Sequence, residues 1–321
     1  MNLVEKAVNN GGKLAPLVIP DAIGAMNPSV YIDDDGDILV NVRVVNYTLY
    51  HSENKQRFPS RWGPLSYLHP EKDQRLVTEN YLCRLDGNLK VINSTKVEYL
   101  NLHTPRWEFV GEEDCRVVRW DGKLYLIGVR RDVDTIGTGR MEMSEIELDK
   151  DNWTAKEISR ARLEVPSQSY CEKNYAPILD KPNHFIKWHS PVELVKAVGD
   201  SIEQVSVKQG ATTEKDQRGG SQLVRWGNHY ISISHEVDLF KNYLMQKDAI
   251  YRHRLCLWDD QLNLVGLSKP FSFLDFPIEF CVGAAVFGEN LLVSFSISDN
   301  AAFILSLTKS VVEDLILEAL D

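Results

Sequence analysis

Residues Gly111-Glu112-Glu113-Asp114-Cys115-Arg116-Val117-Val118-Arg119-Trp120-Asp121-Gly122-Lys123-Leu124-Tyr125-Leu126-Ile127-Gly128-Val129-Arg130-Arg131 read as two strands folded about a tight turn. Asp-Gly is a hairpin signature because both residues tolerate positive φ. On either side run valine, leucine, isoleucine, tyrosine and tryptophan, which suit a pleated surface. Moving outward, the same arrangement recurs at Asp35-Gly36, Pro182-Asn183, Gly227-Asn228 and Gly288-Glu289. Each turn is followed by a strand-like segment, at 38–45, 124–131, 185–189, 230–235 and 291–299. Weaker turns at Asp86-Gly87, Asp151-Asn152, Gly199-Asp200 and Asp259-Asp260 fall between the strong ones.

Alternating strong and weak turns are what a series of four-stranded meanders produces, with an inner hairpin, an outer hairpin and a link onward. Five strong turns predict an all-β, five-bladed β-propeller, read as one domain over residues 1–321. The spacing is irregular, so the reading rests on counting hairpins, and a β-sandwich is its rival. One helix is expected over 310–320, where Val311, Val312, Leu315, Ile316 and Leu320 share a stripe. Residues 51–80, polar and carrying Pro59, Pro64 and Pro70, read as an insertion, and 236–250 as a shorter one.

Composition bounds the function. The apolar fraction of 43% is ample for a core, and the net charge of −10 argues against a nucleic-acid partner. There is no apolar run long enough for a membrane span and no signal-peptide core near Met1. The five cysteines, Cys83, Cys115, Cys171, Cys256 and Cys281, show no metal-ligand spacing, and a reducing cytoplasmic location is expected. No metal or cofactor is expected. The oligomeric state stays open.

A strand rises about 3.3 Å per residue, so positions about seven to ten residues either side of a turn lie at the opposite end of its hairpin. Before the turns this selects Asn27, Asp114, Lys173 with Asn174, Arg218 with Ser221, and Glu279. After them it selects Arg43, Arg130 with Arg131, His189, His235 and Asp299. In a propeller all these ends point the same way, so the selected residues converge on one concavity.

Gly111-Glu112-Glu113-Asp114-Cys115-Arg116 resembles the Glu-Asp-Pro-Arg motif of glycoside hydrolase family 130, the five-bladed mannoside phosphorylases and related mannosidases. Further resemblances follow in order: Asn27-Pro28-Ser29 with Val42-Arg43, Glu172-Lys173-Asn174-Tyr175-Ala176-Pro177 with His189-Ser190-Pro191, Gly219-Gly220-Ser221 with Ile233-Ser234-His235, Tyr251-Arg252-His253-Arg254, and Ser296-Ile297-Ser298-Asp299. They span about residues 25–308 as scattered short motifs. Cys115 replaces the motif's proline, and the last motif departs from the Tyr-Gly-Ala-Ala-Asp type.

The resemblance implies a β-mannoside-type substrate cleaved with inversion, by phosphorolysis rather than hydrolysis, with inorganic phosphate as co-substrate. It implies Asp114 as the acid, delivering its proton through a sugar hydroxyl, and Asp299 as a ligand of sugar hydroxyls. Asn27, Arg43, Asn46, Glu113, Arg116, Lys173 and Asn174 complete the expected substrate-binding set. On an extended strand Glu113 would point away from Asp114 and serve as a hydrogen-bond partner. Phosphate calls for cations, and Arg130 or Arg131, Lys173, His189, His235 and Arg252 are the expected set, with Arg254 beside Arg252. Alternation allows only one of Arg130 and Arg131 into the pocket. A hydrolase would instead need a carboxylate base, from Glu236, Glu279 or Asp299. Tyr47, Tyr175 or Trp62 could stack on sugar, while Trp120, Trp188 and Trp226 are expected between blades. The alternative is a non-catalytic glycan-binding propeller associated with a glycosyltransferase pathway.

Overall fold

Each of the strong turns joins the innermost strand of a sheet to its neighbour, and each weak turn joins the outer pair. The computed structural model describes residues 1–20, 22, 24–50, 57–59, 66–68, 75–210, 216–241 and 247–321. Blade 1 is Gly24–Ile32, Ile38–Val45, Leu76–Leu85 and Val91–Glu98. Blade 2 is Glu112–Trp120, Lys123–Arg130, Arg140–Asp149 and Thr154–Arg162. Blade 3 is Ala176–Pro177, His184–His189, Val192–Val198 and Ser201–Lys208. Blade 4 has Arg218–Gly219 and Val224–Trp226 innermost, then His229–Lys241, Lys247–Trp258 and Leu264–Leu267. Blade 5 is Glu279–Phe287, Asn290–Ile297 and Ala301–Leu307, and its outermost strand is Lys13–Pro16 from the other end of the chain. The protein is a five-bladed β-propeller whose last blade is closed by the N-terminal strand, in the register Lys13↔Ser306 to Pro16↔Phe303.

Burial explains why the innermost strands stay together. Val30, Val117, Leu223 and Ala284 are all within 2% of full burial at the axis. Their polar groups are satisfied across it by one side chain. Gln222 Nε2 donates to Ser29 Oγ at 3.0 Å and to the Val117 carbonyl at 2.9 Å, and its Oε1 accepts from Ala284 N–H at 3.1 Å. Blade 4 is thereby tied to blades 1, 2 and 5. Gly283 permits the close approach, since a Cβ there would meet Val30 N at 2.3 Å.

The C-terminal helix runs Lys309–Leu320 and buries Val311, Val312, Leu315 and Ala319. A second helix, Leu3–Asn9, was not legible as a stripe because it is only seven residues long. It is fixed by a capping box between Asn2 and Glu5, and Leu3, Val4 and Ala7 join the same core cluster as the C-terminal helix. No helix among the described residues is long and apolar enough to cross a membrane.

Both expected insertions are corrected in extent. Residues 51–80 cannot be one insertion, because Leu76–Leu85 is the third strand of blade 1 and buries Leu76, Thr78, Asn80 and Leu82 in alternation. Thr48–Tyr50, Arg57–Pro59 and Ser66–Leu68 form a separate three-stranded sheet, and the rest of 51–74, with Trp62, His51 and His69, lies outside the described residues. The segment 236–250 is a prolongation of a blade hairpin, paired without a break from Tyr230↔Trp258 to Lys241↔Lys247; 242–246 lie outside the described residues.

Candidate functional site

At the open ends of the inner hairpins the strands stop being regular. Register shifts fall between Met26 and Ser29 and between Glu113 and Arg116. Asn27, Asp114 and Asn174 take φ of 44°, 55° and 63°, and Ser298 and Asp299 take 50° each. Left-handed backbone is costly for residues other than glycine and gathers where a site must re-aim side chains. Here it turns polar side chains of four blades toward one space. Close packing beneath them needs glycine, since a Cβ on Gly219 would lie 1.9 Å from the Asn174 carbonyl oxygen.

Asp114 is at the centre. Its Oδ1 accepts from Asn27 Nδ2 at 2.7 Å and from Arg43 Nη1 at 2.8 Å. Asn27 Oδ1 in turn accepts from Ser296 Oγ at 2.5 Å, so the chain Ser296–Asn27–Asp114 crosses from blade 5 through blade 1 to blade 2. Arg43 is itself clamped, with Nε donating to Thr78 Oγ1 at 3.1 Å and Nη2 to Tyr47 Oη at 2.7 Å. Glu113 Oε2 lies 3.5 Å from the same Nη2. Glu113 and Asp114 therefore address one guanidinium, contrary to the strand alternation expected for them. The bulge after Glu113 breaks that alternation.

Burial tends to raise the Asp114 carboxyl, but Arg43, Lys173, the Asn27 hydrogen bond and Arg116 together hold it below the usual carboxylate range. Asp299 behaves oppositely. Burial and the neighbouring carboxylates of Asp114 and Glu113 push it up to about 6, against the pull of Arg43 and Lys173. Two carboxyls in one pocket with environments that drive them apart are a signature of acid–base work.

The expected cations divide. Lys173 is exposed and acts on both carboxyls. Arg131 lies against the rings of Phe109 and Tyr170, donates to Tyr170 Oη at 2.8 Å and feels Glu113. Arg130 turns the other way, donating from Nε to Glu142 at 2.7 Å beside Asp132, and lines a lateral cavity of about 310 Å³ between blades 1 and 2. It is corrected from an anion ligand to a buried ion-pair partner. His189 is also corrected: it is 1% exposed, packs against Trp258, and burial lowers it to about 4, leaving it neutral. His235 lies between Tyr251 and Phe280, and burial, followed by His253, Arg218, Arg116 and Lys173, keeps it neutral too. It can line an anion site but brings no charge. Arg252 donates to the Tyr251 carbonyl and acts on His253 and Asp275, outside the group around Asp114.

Among the binding residues, Arg116 is corrected to a positioning role. It is 1% exposed and gives its donors to the carbonyls of Gly220 and Asp114 and to Asn174 Oδ1. Asn46 accepts from Val77 N–H at 2.8 Å and so ties the chain leaving blade 1 to its next strand. Glu279 cannot act as a base, because its carboxylate caps the N–H groups of Phe273, Leu274 and Phe276. Glu236 is held by Gln217 and Arg254. Tyr47 and Tyr175 are buried, so neither offers an open stacking face. Trp120 does pack inside, donating to the Ile178 carbonyl at 3.1 Å, whereas Trp188 is 44% exposed. Thr78, which accepts from Arg43, carries no signal in the sequence, while Ser296 and Tyr251 stand in quoted motifs without an expected role. Arg218, selected by hairpin position alone, is exposed and faces His235 and Tyr251.

Fold and geometry together define a five-bladed propeller in which polar side chains, with Asp114 held by Asn27 and Arg43, gather at the open ends of the inner hairpins. Its fold is that of the glycoside hydrolase family 130 structures. The β-1,2-mannobiose phosphorylase of Listeria innocua, solved with β-1,2-mannobiose, superposes with a TM-score of 0.56 at 14% identity over 95% of this chain and 97% of that one. A mannose phosphorylase from Leishmania mexicana, MPT-4, solved with a phosphate ion, gives 0.52 at 11% identity over 95% and 92%. A structure from the GH130 work on glycoside hydrolases that target β-1,2 mannosidic linkages in Candida mannan gives 0.57 at 10% identity over 89% and 85%. No protein-family model matches the chain, and no curated protein does.

Proposed function

We propose that the protein, acting as one unit over residues 1–321, cleaves a β-mannoside-type glycosidic bond with inversion and that phosphate is the nucleophile. The observation that carries this reading is the Asp114 carboxylate, aimed by a left-handed bulge and held by Asn27 and Arg43, with Asp299 facing the same space. The mannobiose and phosphate in the similar structures support the substrate and co-substrate.

In this reading the sugar lies between Asp114 and Asp299. Asp114, Asn174 and Glu113 take its hydroxyls, and Lys173 and Arg218 hold the phosphate beside the neutral His235. Inversion needs a proton for the leaving oxygen and an attack on the opposite face of the ring. Phosphate needs no carboxylate base, which agrees with Glu236 and Glu279 being bound up internally. The five thiols are free, which supports a reducing cytoplasmic setting.

A binding-only propeller, associated with a glycosyltransferase pathway, is the second reading. It is favoured by the smaller cation ring, in which Arg130, His189 and Arg252 take no part. The two readings separate when β-mannosyl disaccharides of different linkage are incubated with and without phosphate. Mannose 1-phosphate formed only when phosphate is present supports phosphorolysis, and free mannose in both arms supports hydrolysis. Saturable binding with no product across the panel supports the second reading.

A further inference from the structure

Ser294 and Ser296 lie two residues apart on Asn290–Ile297, the second strand of blade 5, and both are buried. Side chains two apart share one face of a strand, so the two hydroxyls form a short ladder across the seam to blade 1. Ser294 Oγ donates to the Pro28 carbonyl at 2.6 Å and accepts from Val30 N–H at 3.1 Å. Ser296 Oγ donates to Asn27 Oδ1 at 2.5 Å. The ladder spans the register shift between Met26 and Ser29, where Asn27 has a φ of 44°. That shift takes away the regular pleat that would otherwise aim the Asn27 side chain.

The Asn27 amide has two ends of nearly the same shape, one that only accepts and one that only donates. Ser296 takes the accepting end, and Nδ2 is left to donate to Asp114 Oδ1 at 2.7 Å. Arg43 Nη1 donates to the same Oδ1 at 2.8 Å. Among the described residues Asp114 Oδ2 accepts no hydrogen bond. Asn27 is 4% exposed and Ser296 1% exposed, so a missing hydroxyl would leave the Asn27 acceptor unpaired rather than hydrated.

We infer that Ser296 is a positioning residue: through the Asn27 amide it keeps a second donor on Asp114 Oδ1 beside Arg43, and so leaves Oδ2 as the oxygen that meets a substrate hydroxyl. Blade 5 thereby acts on a carboxyl of blade 2 without touching it. Asp299 follows Ser296 by three residues, on two consecutive left-handed residues, so the end of one strand braces one carboxyl and carries the other. The use of Oδ2 rests on the glycoside-cleaving reading, whereas the brace stands on the contacts alone.

The test has two arms. The first follows the Asn27 side-chain amide by NMR in the ligand-free protein, with Asn27→Ala used to assign its signals. In Ser296→Ala its hydrogen exchange is expected to speed up by at least about tenfold. Ser232→Ala, which removes the buried acceptor of Trp258 Nε1 in blade 4, controls for a general loss of stability and is expected to leave that exchange within about twofold of the parent. Exchange that is equally fast in the two variants, or unchanged in Ser296→Ala, overturns the inference.

The second arm measures initial rates with a mannosyl disaccharide and phosphate. Ser296→Ala is expected to lower kcat/KM for the disaccharide by at least about tenfold, while the KM for phosphate changes by less than about twofold. In an Asn27→Ala background the same substitution is expected to cost less than about twofold, because it acts through that amide. Equal costs in the two backgrounds overturn the inference. A parent protein that turns over no glycoside refutes the reaction reading, and the amide exchange then decides the brace by itself.

Discussion

Arg43 Nη1 lies 2.8 Å from Asp114 Oδ1, and this contact between blades 1 and 2 forms the bottom of the pocket with both residues buried. A buried pair is expensive to desolvate and becomes tolerable when every lone pair and N–H is used. Asn27, Thr78 and Tyr47 supply those extra partners. The pair therefore sets the ionisation of Asp114 as well as its position.

Removing one member of such a pair leaves the other charge stranded. Arg43→Met is expected to lose about 3–5 kcal/mol of stability, read as a lower urea midpoint. Arg43→Lys keeps the charge but cannot reach Asp114, Thr78 and Tyr47 together, so activity is expected to fall at least about tenfold with a smaller loss of stability.

Gln222 supports the pocket from below without touching it. Gln222→Leu keeps the volume but removes the side-chain partner of the Val117 carbonyl and the Ala284 N–H, and leaves Ser29 Oγ with the Val117 N–H alone. A loss of about 2–4 kcal/mol is expected in chemical denaturation, from buried groups left without these partners. A change under about 0.5 kcal/mol would show that the blades do not depend on this crossing.

The cations separate by where they face. Lys173→Ala and Arg218→Ala are expected to raise the KM for phosphate by at least about tenfold with little change in stability. Arg130→Met is expected to do the reverse, because it removes the buried bond to Glu142 and the cation beside Asp132, leaving Glu142 to Arg160 and Arg162 and Asp132 to His103 and the Gly111 N–H. Initial rates against phosphate concentration, paired with urea curves, decide it.

The buried histidines predict acid sensitivity. His253 is fully buried, no ring nitrogen of it has a partner among the described residues, and burial, then Arg252, lowers it to about 3. Its folded pKa lies below the unfolded value of about 6.5. The unfolded chain thus binds the extra proton as pH falls through that range, and stability falls with pH. Glu112, raised by burial to about 7, acts in the opposite sense between its unfolded value and pH 7, so the useful measurement is a difference. His253→Phe, which fits beside Phe271 and Phe273, is expected to lose about 1.4 kcal/mol less than the parent per pH unit between pH 6 and 4. Parallel slopes in urea titrations would contradict this.

Much of the fold is visible in the chain because turns are local. Asp121-Gly122 and its counterparts mark every inner hairpin, and the distance from each turn finds Asn27, Arg43, Asp114, Lys173 and Asp299. Closure by Lys13–Pro16 is not visible, since pairing between chain ends leaves no local pattern. The facing of Glu113 is misjudged because one bulge reverses every side chain beyond it. Arg130 and His189 look like pocket cations because position along a hairpin says nothing about burial, and burial is what pairs one and neutralises the other.

The most direct measurement is a crystal structure of the protein with β-1,2-mannobiose and phosphate. Sugar hydroxyls are expected within hydrogen-bond distance of Asp114 and Asp299, with phosphate against Lys173 and Arg218. Sugar bound only elsewhere, such as the cavity beside Arg130, with the space over Asp114 unoccupied, would contradict it.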